Sequence, residues 1–130
     1  MMPKDTLIIN STIEEVPKVY TWVETRLDAG ISSKVRNKVL LISQEIVTNA
    51  IVHGNMLEAS KKVVIDFQSD DEKIIITMKD EGEGYPPLPT KEEAAELDYL
   101  SEGGRGLKLA VLTCTEIEVN KNLIKLVFEI

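Results

Sequence analysis

The chain has 130 residues, 43% hydrophobic and 28% charged, with a formal net charge of −7. That length suits one domain, 1–130, around a single sizeable core, and the acidic balance argues against a nucleic-acid partner, since phosphate-backbone binding needs clustered Lys and Arg. No apolar run approaches the roughly 20 residues that span a bilayer, and MMPKDTLIIN lacks the basic-then-apolar order of a signal peptide, so a soluble, cytoplasmic protein without a membrane partner is expected.

In chain order, Thr6–Asn10 (TLIIN) reads as a short strand. Ile13, Val16, Val19, Tyr20, Val23 and Leu27 follow at helical spacing. Ser11 with Glu14, or Thr12 with Glu15, predicts a capping box, Gly30 predicts the C-cap, and Pro17 is tolerable only in the first turn. A second helix is expected from Ser32 or Ser33 to Gly54. VVIDF and IIITMKD, separated by the polar QSDDE, predict a hairpin. The long segment from Asp80 to Gly106 is rich in Gly and Pro, with EEAAELDYL a short helix inside it. GLKLAVLTC predicts another helix, and EIEVNKNLIKLVFEI a closing hairpin turning at Asn120–Asn122. Cys114, the sole cysteine, sits in that apolar helix and reads as a buried small hydrophobe; no internal disulfide or thiolate metal cluster is possible. Strands joined by tight turns imply a mostly antiparallel sheet with helices on one face, a two-layer α+β sandwich.

The second helix carries its charge in an odd place. At about 100° per residue, Asn49 falls some 40° and His53 some 80° from Glu45, beside Ile42, Ile46, Val39 and Ala50 and away from the polar sector of Asn37, Gln44 and Thr48. A carboxylate at the edge of a packing face is expensive unless paired or working. Pairing with Lys38 on the same stripe is one solution; a functional role is the other. Asp80 ends a strand and opens DEGEG, where Gly82 and Gly84 permit a sharp turn and a close-lying ligand. SEGGRGLKLAV places Gly103, Gly104 and Gly106 before a helix whose free N–H groups suit an anion. It is not a P-loop, lacking the Gly-Lys-Ser/Thr spacing, and no GxGxxG follows the first strand, which excludes a Rossmann fingerprint.

ExxxNxxxHGN on a helix, DxGxG after a strand and GGRGL opening a helix together resemble the asparagine box and the two glycine boxes of the GHKL ATP-binding superfamily. The small size and the wording EIVTNAIVHGN are similar to the bacterial anti-sigma-factor serine/threonine kinases. The resemblance runs from about Val35 to Ile130 in three separate blocks; Lys108 and the short loop after Gly54 do not carry it. It implies the GHKL (Bergerat) fold, ATP and Mg2+ as ligands, Asn49 as the residue offering an oxygen to Mg2+, and Glu45 as general base toward an attacking hydroxyl. Asp80 would accept from the adenine amino group, with the backbone at Gly82 and Gly84 lying close to the base. Gly103, Gly104, Arg105, Gly106 and Leu107 would meet the phosphates, His53 would bond near the nucleotide, and residues 85–102 would form the ATP lid. The implied partners are an anti-anti-sigma protein of STAS type, phosphorylated and so inactivated, a sigma factor, and a second copy of the chain in a homodimer. The alternative is a nucleotide-gated module that sequesters a partner without phosphoryl transfer. A complete sensor histidine kinase is excluded, because the one histidine, His53, lies inside the asparagine box.

Overall fold

The computed structural model describes residues 3–96 and 105–130. Its elements run β1 (Asp5–Asn10), α1 (Val16–Arg26), α2 (Ser33–Asn49), β2 (Lys62–Ser69), β3 (Lys73–Lys79), α3 (Lys91–Ala95), α4 (Arg105–Thr113), β4 (Glu116–Asn120) and β5 (Leu123–Glu129). The expected order of strands and helices holds throughout. One sheet of order β1-β2-β3-β5-β4 carries all five strands, and every neighbouring pair is antiparallel. The hairpins are tight, whereas β3 reaches β5 across the long connection through α3 and α4, so the end of β3 lies beside the turn of the last hairpin.

Alternation builds the two layers. Val63, Ile65 and Phe67 of β2, Ile74, Ile76 and Met78 of β3, and Ile124, Leu126 and Phe128 of β5 are buried on the helix side, as a period of two requires for a sheet covered on one face. Against them pack Val19 and Val23 of α1 and Val39, Ile42, Ile46 and Val47 of α2, all 0–1% exposed. Each such aliphatic side chain contributes roughly 1.5–3 kcal/mol when taken fully out of water, so this seam dominates the hydrophobic stabilisation. Cys114 belongs to it at 7% exposure, and burial pushes its thiol up to about 12, as expected of a packing residue. No described helix is long and apolar enough to cross a membrane.

Two local expectations fail for tertiary reasons. The capping box at the start of the first helix does not form: Thr12 makes no side-chain cap bond, and Ser11 instead donates to Lys61 O at 2.8 Å and accepts from Asn55 Nδ2 at 2.8 Å. A short 3-10 turn, Ile13–Glu15, leads in, so that Pro17 falls in the first turn of α1, where its missing N–H costs nothing. Gly30 is not the C-cap either, because α1 ends at Arg26 with Leu27 extended behind it; Gly30 lies in the following turn, its N–H donating to Asp28 Oδ1 at 2.9 Å. By contrast Ser32 caps α2 through Val35 N at 3.2 Å. The helix expected over EEAAELDYL begins at Lys91, its Thr90 and Glu93 forming a reciprocal capping box; its remainder lies outside the described residues.

Candidate functional site

Helix α2 does not continue as an α-helix to Gly54. After Asn49 it widens into a π-turn, Ala50–Gly54, closed by Asn55 N donating to Ala50 O at 2.8 Å. Such turns sit disproportionately at functional sites. The wider turn carries His53 out of the helical phase that the wheel assumes, and it is exposed, whereas Glu45 and Asn49 are half-buried at the edge of the packed face, where the wheel puts them. The turn also brings Gly54 against Asp80: a Cβ on Gly54 would overlap both carboxylate oxygens. Gly82 is held as closely, since a Cβ there would collide with the carbonyl of Gly54. The asparagine-box helix and the DEGEG turn therefore interlock through backbone contact that only glycine permits on either side.

Asp80 is 5% exposed. One carboxylate oxygen accepts from Gly82 N at 2.7 Å, and the backbone is tied to the last hairpin by Asp80 N donating to Asn122 O at 3.2 Å and Asn122 Nδ2 donating to Asp80 O. Burial raises its carboxyl above the usual range, opposed in part by the Gly82 bond. Gly84 adopts φ +124°, open to glycine alone, and Tyr85 N then donates to Lys121 O at 2.8 Å. The ring of Tyr85 forms one wall of the site while its buried hydroxyl finds no hydrogen-bond partner among the described residues, and burial followed by the charge of Asp80 raises its pKa.

The third block arrives from α4. Gly106, the second residue of that helix, lies so near α2 that a Cβ would stand 2.7 Å from Asn49 Nδ2 and 3.5 Å from Glu45 Cβ. Between the three blocks opens a cavity of about 230 Å³ lined by Asn49, His53, Gly54, Asp80, Gly84, Tyr85, Pro86 and Leu107. The geometry thus brings together Asn49, His53, Asp80, Gly84 and Leu107 from three separate stretches of sequence. Glu45 stands one turn before Asn49 beside Gly106, off the cavity wall, and Gly82 lies behind the wall against Gly54. Gly103, Gly104, the side chain of Arg105 and the 97–102 part of the expected lid lie outside the described residues. Tyr85 and Leu88, at the start of that segment, pack against the core, and Ala94 is fully buried. Gly54 as a packing surface, Asn55, Tyr85 as a wall and Asn122 as an anchor escape the sequence reading. Only Asn55 leaves a sequence signal, a polar residue directly after His-Gly.

A five-stranded antiparallel sheet with helices on one face, and a cavity at the strand ends framed by an asparagine-bearing helix and two glycine turns, define an α+β ligand-binding domain of the GHKL architecture. Residues 9–128 match the histidine kinase-like ATPase domain, and the chain belongs to that family. It is 36% identical over 78 residues to an anti-sigma F factor of Oceanobacillus iheyensis, a match covering 60% of this chain and 50% of that protein. It is 43% identical over 58 residues to an anti-sigma F factor of Clostridium perfringens, covering 45% of this chain and 39% of that protein. The matched stretch therefore spans half or less of the curated relatives' length.

Proposed function

We propose that the cavity binds the adenine of ATP and that the protein is a serine/threonine kinase acting as an anti-sigma factor, phosphorylating a STAS-type anti-anti-sigma protein. The carrying observation is the convergence of Asn49, Asp80 and Leu107, one from each block, on a single cavity. Membership of the ATPase-domain family and the likeness to proteins named anti-sigma F factor support the same reading. At about 230 Å³ the cavity is below the roughly 300–1,000 Å³ of pockets that enclose whole drug-sized ligands, which suits a base inside and phosphates outside.

Asp80, buried and already bonded to Gly82, accepts from the adenine amino group, which a guanine or hypoxanthine base does not offer at that position. The phosphates extend toward the first turn of α4 at Gly106, a helix N-terminus suited to an anion, and the resemblance assigns Gly103 and Gly104 to the same role. The residues fit a magnesium ion: Asn49 stands on the cavity wall beside the space that Gly106 leaves open, and its amide offers a hard oxygen donor. Among the described residues no three His, Cys, Asp or Glu side chains converge, so Asn49 would share the ion with phosphate oxygens and water. Magnesium, when bound, neutralises phosphate charge as the terminal phosphoryl group departs. Glu45, one turn from Asn49, takes the proton of the partner's Ser or Thr hydroxyl while that oxygen bonds to the γ-phosphorus and the bridging oxygen leaves with ADP. His53 hydrogen-bonds at the cavity rim, and the resemblance assigns Arg105 to offset phosphate charge and residues 85–102 to the lid over the nucleotide.

The test is transfer of label from γ-labelled ATP to a STAS-type protein by the wild type and by Glu45→Ala. The expected result is transfer that falls by two or more orders of magnitude in the variant while nucleotide binding is kept. Full transfer by Glu45→Ala would remove Glu45 as the base, and binding without transfer by the wild type would leave a nucleotide-gated sequestering module.

A further inference from the structure

Asn55 closes the ExxxNxxxHGN block, directly after the π-turn, and the resemblance gives it no role, yet it is fully buried and nearly saturated with hydrogen bonds. Its Oδ1 accepts from Glu81 N at 2.7 Å. Its Nδ2 donates to Ser11 Oγ at 2.8 Å and to Lys62 O at 3.0 Å. Its backbone closes the π-turn and accepts from Glu58 N at 3.0 Å. One side chain thus joins the loop before α1, the start of β2 and the turn that follows β3. The two residues after it, Met56 and Leu57, both hold positive φ, at 54° and 59°, a conformation that persists only where neighbours over-determine it.

Glu81 is the residue after Asp80, and Asp80 sits against Gly54, the residue before Asn55. We infer that Asn55 is a positioning residue of the nucleotide site: its bond to Glu81 N holds the DEGEG turn against the π-turn, so that the Asp80 carboxylate stands in place before a base arrives. This rests on the reading of Asp80 as the adenine acceptor. It assigns a role to a block residue to which the resemblance gives none. A buried amide costs several kcal/mol if its groups go unmet, and here both donors and one acceptor position are met by three different segments, which makes the side chain a rigid strut instead of a filler. Ser11 supports only the nitrogen end of that strut and does not touch the Asp80 turn.

The experiment is calorimetric titration of the full chain with ADP and with inosine diphosphate, which lacks the amino group, alongside thermal melts. The variants are Asn55→Ala, Asn55→Asp and Ser11→Ala. The wild type should prefer ADP, and Asn55→Ala should lower that preference by about tenfold, the scale of one well-placed hydrogen bond. Ser11→Ala should melt earlier with its preference within about twofold of wild type. Asn55→Asp gives up both donors and also melts earlier, but it keeps the acceptor for Glu81 N and so should keep the preference. If Asn55→Ala does not fold, Asn55→Asp decides: preference kept supports the strut, preference lost overturns it. Unchanged preference in folded Asn55→Ala overturns the positioning role and leaves the nucleotide reading standing. A wild type that binds neither nucleotide ends both.

Discussion

Replacing Gly106 with alanine sets two local effects against each other. The new Cβ would lie 3.5 Å from Glu45 Cβ and 3.6 Å from Asn49 Cγ, ordinary contacts, but 2.7 Å from Asn49 Nδ2, which must move. That nitrogen ends a short flexible side chain, so relief needs a rotation of the Asn49 amide, an off-rotamer strain of order 0.5–1.5 kcal/mol. In the other direction, alanine for glycine in a helix gains up to about 1 kcal/mol through the unfolded chain and helix propensity. The two nearly cancel. Net stability should change by less than about 1 kcal/mol, a melting shift within about 5 °C for a domain of this size. The amide that moves is the one assigned to the divalent ion, so Mg-dependent nucleotide affinity should fall at least tenfold, read by calorimetry on protein shown folded by circular dichroism. A melting point lowered by more than 10 °C would refute the packing argument. An unchanged Mg-dependent affinity would refute the placement of Asn49.

Further expectations follow from the same contacts. Gly54→Ala should destabilise by more than about 2 kcal/mol in urea unfolding, because the Cβ meets a carboxylate that Gly82 N bonds, on a backbone that Asn122 ties down; a loss below 0.5 kcal/mol would contradict the interlock. Ser43→Ala should leave stability unchanged or raise it by about 1 kcal/mol, since the buried hydroxyl has no partner among the described residues; clear destabilisation would show a bond that the packing does not reveal. Burial lifts the Asp80 carboxyl above 3.8, so its contribution to the stability of the free protein is complete below the unfolded value and declines as pH rises through the folded one. Nucleotide binding runs the other way: only the carboxylate accepts from an amino group without a proton of its own, so affinity should fall as pH drops through that raised value. Asp80→Asn should remove the slope, melt no lower than wild type at neutral pH, and bind poorly; a pH profile shared by wild type and Asp80→Asn would place the titration elsewhere.

The order of strands and helices was legible because its signals are local: period-two alternation in KVVIDFQS and LIKLVFE, polar turns between strands, and a serine before α2. The wheel located Glu45 and Asn49 at the edge of the buried face because that edge is a property of one regular helix. It did not foresee that the helix widens into a π-turn at Ala50–Gly54, a change tied to the packing of Gly54 on Asp80, far away in sequence, although His53 still lines the cavity with Asn49. The cap misassigned at the first helix fails for the same reason. Ser11 has the right chemistry for an N-cap, yet its hydroxyl is engaged by Lys61 and Asn55 across the fold. Within the site, the boxed residues announce themselves by spacing, whereas Tyr85 and Asn122 matter only through what β3, β5 and their turns bring together. Gly82 illustrates the limit: its spacing marks it as special, but the close neighbour is the Gly54 carbonyl.

The central claim is that the cavity framed by Asn49, Asp80 and Leu107 is an adenine-nucleotide site. It is tested most directly by calorimetric titration of the wild type with ADP and ATP, with and without Mg2+, repeated on Asp80→Asn and Asn49→Ala. The expected result is binding that weakens at least tenfold in Asp80→Asn and loses its Mg2+ dependence in Asn49→Ala. No heat with either nucleotide under any condition, from protein that melts cooperatively, would contradict the claim and leave the three blocks as scaffold.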